Sequence, residues 1–179
     1  MTGPGSLDWR PVPAELVAPA VADALSAVFP AGRRGEVLAA PIDPALADTA
    51  AFCERYGVAM ADSANCVVIA GRRGDATRYA ACVVLATTRA DVNGVVRKRL
   101  DARKASFAAV EDAVALTSME YGGITPIGLP AAWPVLVDRA VLARPVVVIG
   151  SGLRGSKIAL PSQLLAELPS AEVIDGLAF

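Results

Sequence analysis

Glu120-Tyr-Gly-Gly-Ile-Thr-Pro-Ile-Gly-Leu-Pro130 is the stretch that decides how this chain is read. It places three Gly and two Pro in eleven residues, between a helical pattern and a strand pattern. Gly supplies backbone conformations that other residues resist, and Pro fixes φ and removes a donor. The combination predicts a rigid loop of definite shape. Gly122-Gly123 can bring backbone N–H groups close to a ligand with no Cβ in the way.

The pattern around the loop is mixed. Apolar residues Leu16, Val17, Val21, Leu25 and Val28 recur at helical spacing, predicting a helix from Pro13 to Phe29 that stops at Pro30. Glu36–Ala40 reads as a short strand and Pro44–Tyr56 as a second helix closed by Gly57. Asn65–Ala70 and Arg78–Thr88 are buried-strand patterns flanking a turn at Gly71-Arg-Arg-Gly74, a plausible antiparallel pair. Asp91 suits the N-cap of a helix running to about Leu100. Lys104–Phe107 reads as a strand, and Val110–Ser118 as a helix with Glu111 and Asp112 in its first turn. After the Gly-Gly loop come strand cores at Val135–Val137, Val146–Ile149 and Lys157–Leu160. Asp138–Leu142 fits one helical turn, Ser162–Leu168 a short helix, and Val173–Ile174 a terminal strand.

Several connections are too short for crossover helices. The expected fold is therefore mixed α/β (α+β): a curved, mostly antiparallel mixed sheet surrounded by helices. With 179 residues, 54% apolar and 20% charged, the chain reads as one domain over 13–179. A helical extension covers 13–30, and a Gly/Pro-rich, mobile segment covers 1–12.

Composition excludes whole classes of chemistry. There is no His, which removes Ser-His-Asp and Cys-His mechanisms, imidazole bases and His-ligated zinc. Cys53, Cys66 and Cys82 show no metal or redox spacing and read as buried, inert thiols. No apolar run has the length of a membrane span, and the first residues lack a signal-peptide pattern, so the expected location is the cytoplasm. A net charge of −1 argues against a protein that grips a long nucleic-acid backbone. Any nucleic acid is expected to be held by one end.

Other motifs have plainer readings. Gly150-Ser-Gly-Leu-Arg-Gly155 matches Gly-x-Gly-x-x-Gly after a strand, but Ser156–Pro161 then reads as a strand where a dinucleotide site needs a helix. A turn with exposed N–H groups, able to cradle one phosphate, fits better. Arg97-Lys-Arg99, with Arg103 and Lys104, reads as a solvated face; the alternative is a phosphate-steering patch, and Arg72 and Arg73 stand the same way. Asp138 reads as a helix N-cap, and Lys157 as a surface Lys at a strand start.

Thr117-Ser-Met-Glu-Tyr-Gly-Gly-Ile-Thr-Pro-Ile-Gly128 resembles the Thr-Gly-x-x-x-Gly-Gly-x-x-Pro-x-Gly loop of the YbaK-like, prolyl-tRNA editing domain family. Ser118 replaces the first Gly of that pattern. The strand Asn65–Ala70, the segment Asp91–Phe107, Val135-Leu-Val-Asp138 and Gly150–Gly155 follow the family's order. The resemblance spans about Glu36 to Ile174. It implies a YbaK-like fold and a trans-editing deacylase that hydrolyses the ester of mischarged tRNA-Pro carrying a small amino acid such as Ala or Cys. It also implies that the partner is the aminoacylated 3′ end of tRNA, that the pocket lies between the two Gly-rich loops, and that an ordered water and the substrate's ribose hydroxyl act without metal or cofactor. Carried onto this chain, Asn65, Gly122 and Gly123 are the catalytic positions. Ile124, Thr125, Pro126, Gly150, Ser151, Gly152 and Lys157 bind substrate.

Three positions depart from the family. Asn65 stands where a Lys important for activity is usual, Ala40 where a Tyr is usual, and Lys157 where an acidic residue is usual. Asn65 keeps hydrogen-bonding capacity but loses the cation. Lys157 then returns a positive charge from the other side of the cleft. The alternative expectation is a family member without catalysis that binds the aminoacyl end of tRNA, or a nucleotide-like ligand, as a regulatory module. Oligomeric state leaves no mark in the sequence.

Overall fold

Two ten-residue runs on either side of Gly74-Asp75 build the longest hairpin of the computed structural model, which describes residues 3–179. Among the described residues the strands, in chain order, are β1 (Arg10–Pro11), β2 (Leu38–Pro41), β3 (Ala64–Arg73), β4 (Ala76–Leu85), β5 (Lys104–Phe107), β6 (Val135–Asp138), β7 (Val146–Gly150), β8 (Ser156–Pro161) and β9 (Ala171–Ile174). β3 and β4 pair antiparallel from Ala64↔Leu85 to Arg73↔Ala76, so the predicted pair is present. The turn is shorter than the sequence suggested: the strand runs on through Arg73.

The strands form two sheets, of order β1-β2-β8-β7 and β5-β3-β4-β6-β9. Only β4–β6 and β6–β9 are parallel, so the mixed, mostly antiparallel character holds. The single curved sheet of the sequence reading resolves into two. They meet where Ser63 bridges Val148. The main core lies between them and takes Ile149, Ile158 and Leu160 from one sheet and Val135 and Val137 from the other. Burying such side chains contributes roughly 1.5–3 kcal/mol each.

The helices are α1 (Pro19–Val28), α2 (Ala31–Arg34), α3 (Thr49–Tyr56), α4 (Arg97–Arg99), α5 (Val110–Thr117) and α6 (Arg139–Leu142). The first begins later than the periodicity predicts. Pro19 sits in its first turn and keeps Ala18 extended (φ −63°, ψ 149°), which cuts off a lone 3-10 turn at Ala14–Leu16. α1 is no appendage, because Val21, Leu25 and Phe29 are buried in the main core. The predicted helix from Pro44 also divides. Asp43 caps a 3-10 turn, then Asp48 caps α3 by accepting from Ala50 N–H at 3.0 Å. Asp91 is an N-cap as predicted, accepting from Gly94 and Val95, but it opens a wide π turn over Val92–Val96 before α4. Asp138 caps α6 as predicted.

Of the segment read as mobile, residues 1–2 lie outside the described residues. Residues 3–12 are tied in: Arg10 and Pro11 form β1 against β2, and Trp9 Nε1 donates to Pro4 O at 2.7 Å.

Candidate functional site

The two Gly-rich loops meet backbone to backbone. Gly152 N–H donates to Gly123 O at 2.7 Å, and Glu120 N–H donates to Gly152 O at 2.9 Å. Glycine is required at this joint. A Cβ on Gly123 would lie 2.4 Å from Leu153 O, and one on Gly150 would lie 2.4 Å from Gly123 O. Arg154 fastens the joint to the turn before α3. Its Nε donates to Pro44 O at 2.9 Å and its Nη1 to Tyr121 O at 3.2 Å, while its own N–H donates to Glu120 Oε2 at 2.6 Å.

The loops touch, and residues of both, Gly122 and Ile124 from one and Gly150 from the other, line a single cavity. This cavity, of about 610 Å³, opens beside the joint, at the seam of the two sheets. Ala64–Val68 of β3 form one wall, and Val148–Gly150 with Lys157 form the facing one. The start of α3 (Asp48–Ala50), Gly122 and Ile124 close it, and Phe107, Val110 and Tyr121 stand at its edge. The volume suits a small molecule or one nucleoside with a substituent. The wall on β3 is open because β5 pairs only with Ile69–Arg72, leaving the preceding residues of β3 uncovered.

Lys157 is buried, contrary to its reading as a surface residue. It is 6% exposed, its Nζ donates to Ala47 O at 3.0 Å, and it lies 5.2 Å over the Phe52 ring. Burial pushes its ammonium below the ordinary lysine value; Cys53 and Asp48 nearby pull it back up, and Arg154 adds to the lowering. Among the described residues it is the only Lys or Arg lining the cavity. Asn65, on β3, accepts from Thr49 Oγ1 at 2.7 Å through Oδ1, which leaves its amide NH₂ to donate.

Asn65, Gly122, Ile124, Gly150 and Lys157 thus border one space. Gly122 N–H has no hydrogen-bond partner among the described residues, whereas Gly123 N–H is committed to Glu120 O. The other named positions stand behind the wall. Ser151 is buried, with Oγ 2.7 Å from Ser156 Oγ. Thr125 is fully buried with its hydroxyl unpartnered. Gly123, Pro126 and Gly152 are buried, and none of these five lines the cavity.

The sequence reading missed Thr49, Phe52, Ser63 and Tyr121 as cavity residues. Asp48-Thr49 as a helix start was the one signal available for Thr49. It also treated Cys66 as core, whereas Cys66 lines the cavity. Burial, with Cys82 beside it, holds its thiol pKa well above the ordinary value, which disfavours the thiolate. Burial likewise pushes Cys82 up to about 12.

The sequence model of the aminoacyl-tRNA editing domain matches residues 43–168, well over half of the chain. The chain belongs to the aminoacyl-tRNA editing domain family. Among solved structures it is similar to a protein proposed as a trans-editing enzyme for prolyl tRNA synthetase, with TM-score 0.71 and 19% identity, covering 89% of this chain and 97% of that one. It is also similar to the hypothetical protein APE2540, with TM-score 0.70 and 22% identity over 83% and 95% of the two chains. A third likeness is to a protein from Marinobacter aquaeolei VT8 proposed to act in signal transduction. There the TM-score is 0.57 and the identity 18%, over 90% of this chain and 31% of that one. No curated protein matches the chain. Among the described residues, no helix is long and apolar enough to cross a membrane.

Proposed function

We infer that the protein is a trans-editing deacylase, hydrolysing the ester between a small amino acid and the 3′-terminal ribose of a mischarged tRNA, with alanyl- or cysteinyl-tRNA-Pro as substrate. The observation that carries this reading is the convergence of Asn65, Lys157 and the unpartnered Gly122 N–H on one cavity, in a chain without His. Family membership supports the reaction class, and the likeness to a protein proposed as a prolyl-tRNA synthetase trans-editing enzyme suggests the tRNA.

The terminal adenosine and its acyl group occupy the seam. Water attacks the ester carbonyl, and negative charge develops on the carbonyl oxygen. Gly122 N–H and Lys157 Nζ donate to that oxygen, and such a donor is worth roughly 3–4 kcal/mol of transition-state stabilisation. Asn65, held by Thr49, orients the water or the ribose through its amide. The ribose oxygen leaves with a proton, its neighbouring hydroxyl assisting.

The test is deacylation of alanyl-, cysteinyl- and prolyl-tRNA-Pro followed over time. Turnover of the first or second, with prolyl-tRNA-Pro spared, supports the reading. A second reading, a non-catalytic binding module, is favoured by Asn65 in place of the family's lysine. Tight binding of mischarged tRNA without turnover would establish it instead.

A further inference from the structure

Charge is distributed unevenly along the chain. Residues 72–104 hold nine of the seventeen Lys and Arg side chains but three of the eighteen Asp and Glu. That segment is +6 and the remainder −7, behind a net charge of −1. The fold then gathers the positive segment onto one region. Arg72 and Lys104 are register partners across β3 and β5, and Arg103 N–H donates to Arg72 O at 2.8 Å. Arg73 and Arg78 both reach Asp101, which ties the hairpin tip to the loop between α4 and β5.

Acids neutralise little of it. Among the described residues, Arg73 and Arg78 share Asp101 and Arg99 pairs with Glu172. Arg72, Arg97, Lys98, Arg103 and Lys104 are in none of the ion pairs. Four of these, Arg72, Lys98, Arg103 and Lys104, are exposed.

The region is continuous with the cavity. β5 runs from Lys104 to Phe107, and Phe107 lines the cavity edge while remaining 64% exposed. Three residues of strand span about 10 Å, the axial reach of about three phosphates of one strand of a duplex. Tyr121, at the same edge, is 61% exposed, so two aromatic faces are available for bases to stack on.

We propose that the face formed by Arg72, Arg97, Lys98, Arg103 and Lys104 is the docking surface for the phosphate backbone of a tRNA acceptor arm whose last nucleotide enters the cavity. The proposal rests on the functional reading above and extends it from the acyl group to the stem. Docking is polyelectrolyte binding and carries no sequence information itself. It lets a protein of near-zero net charge hold an RNA at one place only.

The test is fluorescence anisotropy with uncharged, labelled tRNA-Pro, paired with hydrolysis of alanyl-adenosine, which has no stem to dock. In the triple variant Arg72→Glu/Lys98→Glu/Arg103→Glu, affinity falls at least about tenfold and the slope of log K against log salt drops by about three. Hydrolysis of alanyl-adenosine stays as in the unmodified protein. The neutral triple Arg72→Gln/Lys98→Gln/Arg103→Gln gives the same direction and guards against misfolding by charge reversal. A control of equal charge elsewhere, Arg10→Glu/Arg34→Glu/Arg55→Glu, leaves binding intact. Unchanged tRNA affinity in the first triple, or equal loss in the control, overturns the proposal. Absence of deacylation in the unmodified protein refutes the deacylase reading alone, because the binding data still judge the face.

Discussion

Replacing Lys157 by Met removes the only Lys or Arg lining the cavity among the described residues and keeps the length of the side-chain stem. Lys157 is 6% exposed, so desolvating its ammonium costs several kcal/mol. Against that stand one charged hydrogen bond to Ala47 O, worth roughly 1.5–3 kcal/mol, and the approach to the Phe52 ring, worth up to about 2 kcal/mol. The two sides nearly cancel. The variant is therefore expected to stay within about 2 kcal/mol of the unmodified protein, less than about 8 °C in Tm. Catalysis has no such compensation, and losing one oxyanion donor lowers the deacylation rate by about 10²–10³. The pH dependence carries a second signature. Burial lowers the folded-state pKa of Lys157, so between that value and about 10.4 the unfolded chain binds more protons than the folded one. Stability contributed by this group therefore rises with pH through that window and is absent from Lys157→Met. Urea unfolding from pH 8 upward and single-turnover deacylation read the two effects separately. A folded Lys157→Met variant that deacylates at the unmodified rate would refute the role given to this amine.

Other outcomes follow from the same geometry. Gly123→Ala drives a Cβ to 2.4 Å from Leu153 O and should lower stability by about 1–3 kcal/mol or more, read by urea denaturation. Gly122→Ala puts a Cβ 2.6 Å from the Arg154 Nη1 that holds Tyr121 O, at a φ of +84°, and should cost at least about 1–2 kcal/mol while reducing the rate. Cys66→Ala should retain activity and iodoacetamide at pH 8 should not inactivate the protein, since burial keeps the cavity thiol protonated. Asn65→Lys adds a second ammonium beside Lys157 and should lower the rate. Combining it with Lys157→Met restores a single cation and should recover much of the loss, a coupling that a double-mutant cycle measures.

The elements were legible where local chemistry fixes them. Lys104–Phe107 is a strand over the predicted residues, and Asp91 and Asp138 are caps because a carboxylate before a run of free N–H groups has few other roles. The errors fell where proline sets a boundary that periodicity ignores, as at Pro19. The site was half legible. Gly122 and Gly150 announced themselves through the Gly-rich motifs, and Asn65 through the resemblance, as the position that departs from its usual Lys. Lys157 was named through the resemblance, but its burial was not legible, because what buries it is Ala47 and Phe52, more than a hundred residues earlier. Thr49 carried only a helix-start signal, since its bond to Asn65 joins a helix start to a strand of another layer.

On the deacylase reading proposed above, the same separation accounts for Asn65 at this position. Asn65 belongs to the five-stranded sheet and Lys157 to the four-stranded one, and the cavity lies where the sheets meet at Ser63 and Val148. A group at this seam feels the sum of both walls, so a cation moved from β3 to β8 stays in the same small, poorly solvated space. What must not move is the distance between the walls. The Gly123–Gly152 hydrogen bond and the Arg154 bridge to Pro44 and Tyr121 hold that distance. The glycines that first drew attention as ligand contacts are then chiefly the joint that holds the two sheets at their spacing. Substitution at that joint should therefore damage every version of the site, whichever wall carries the charge.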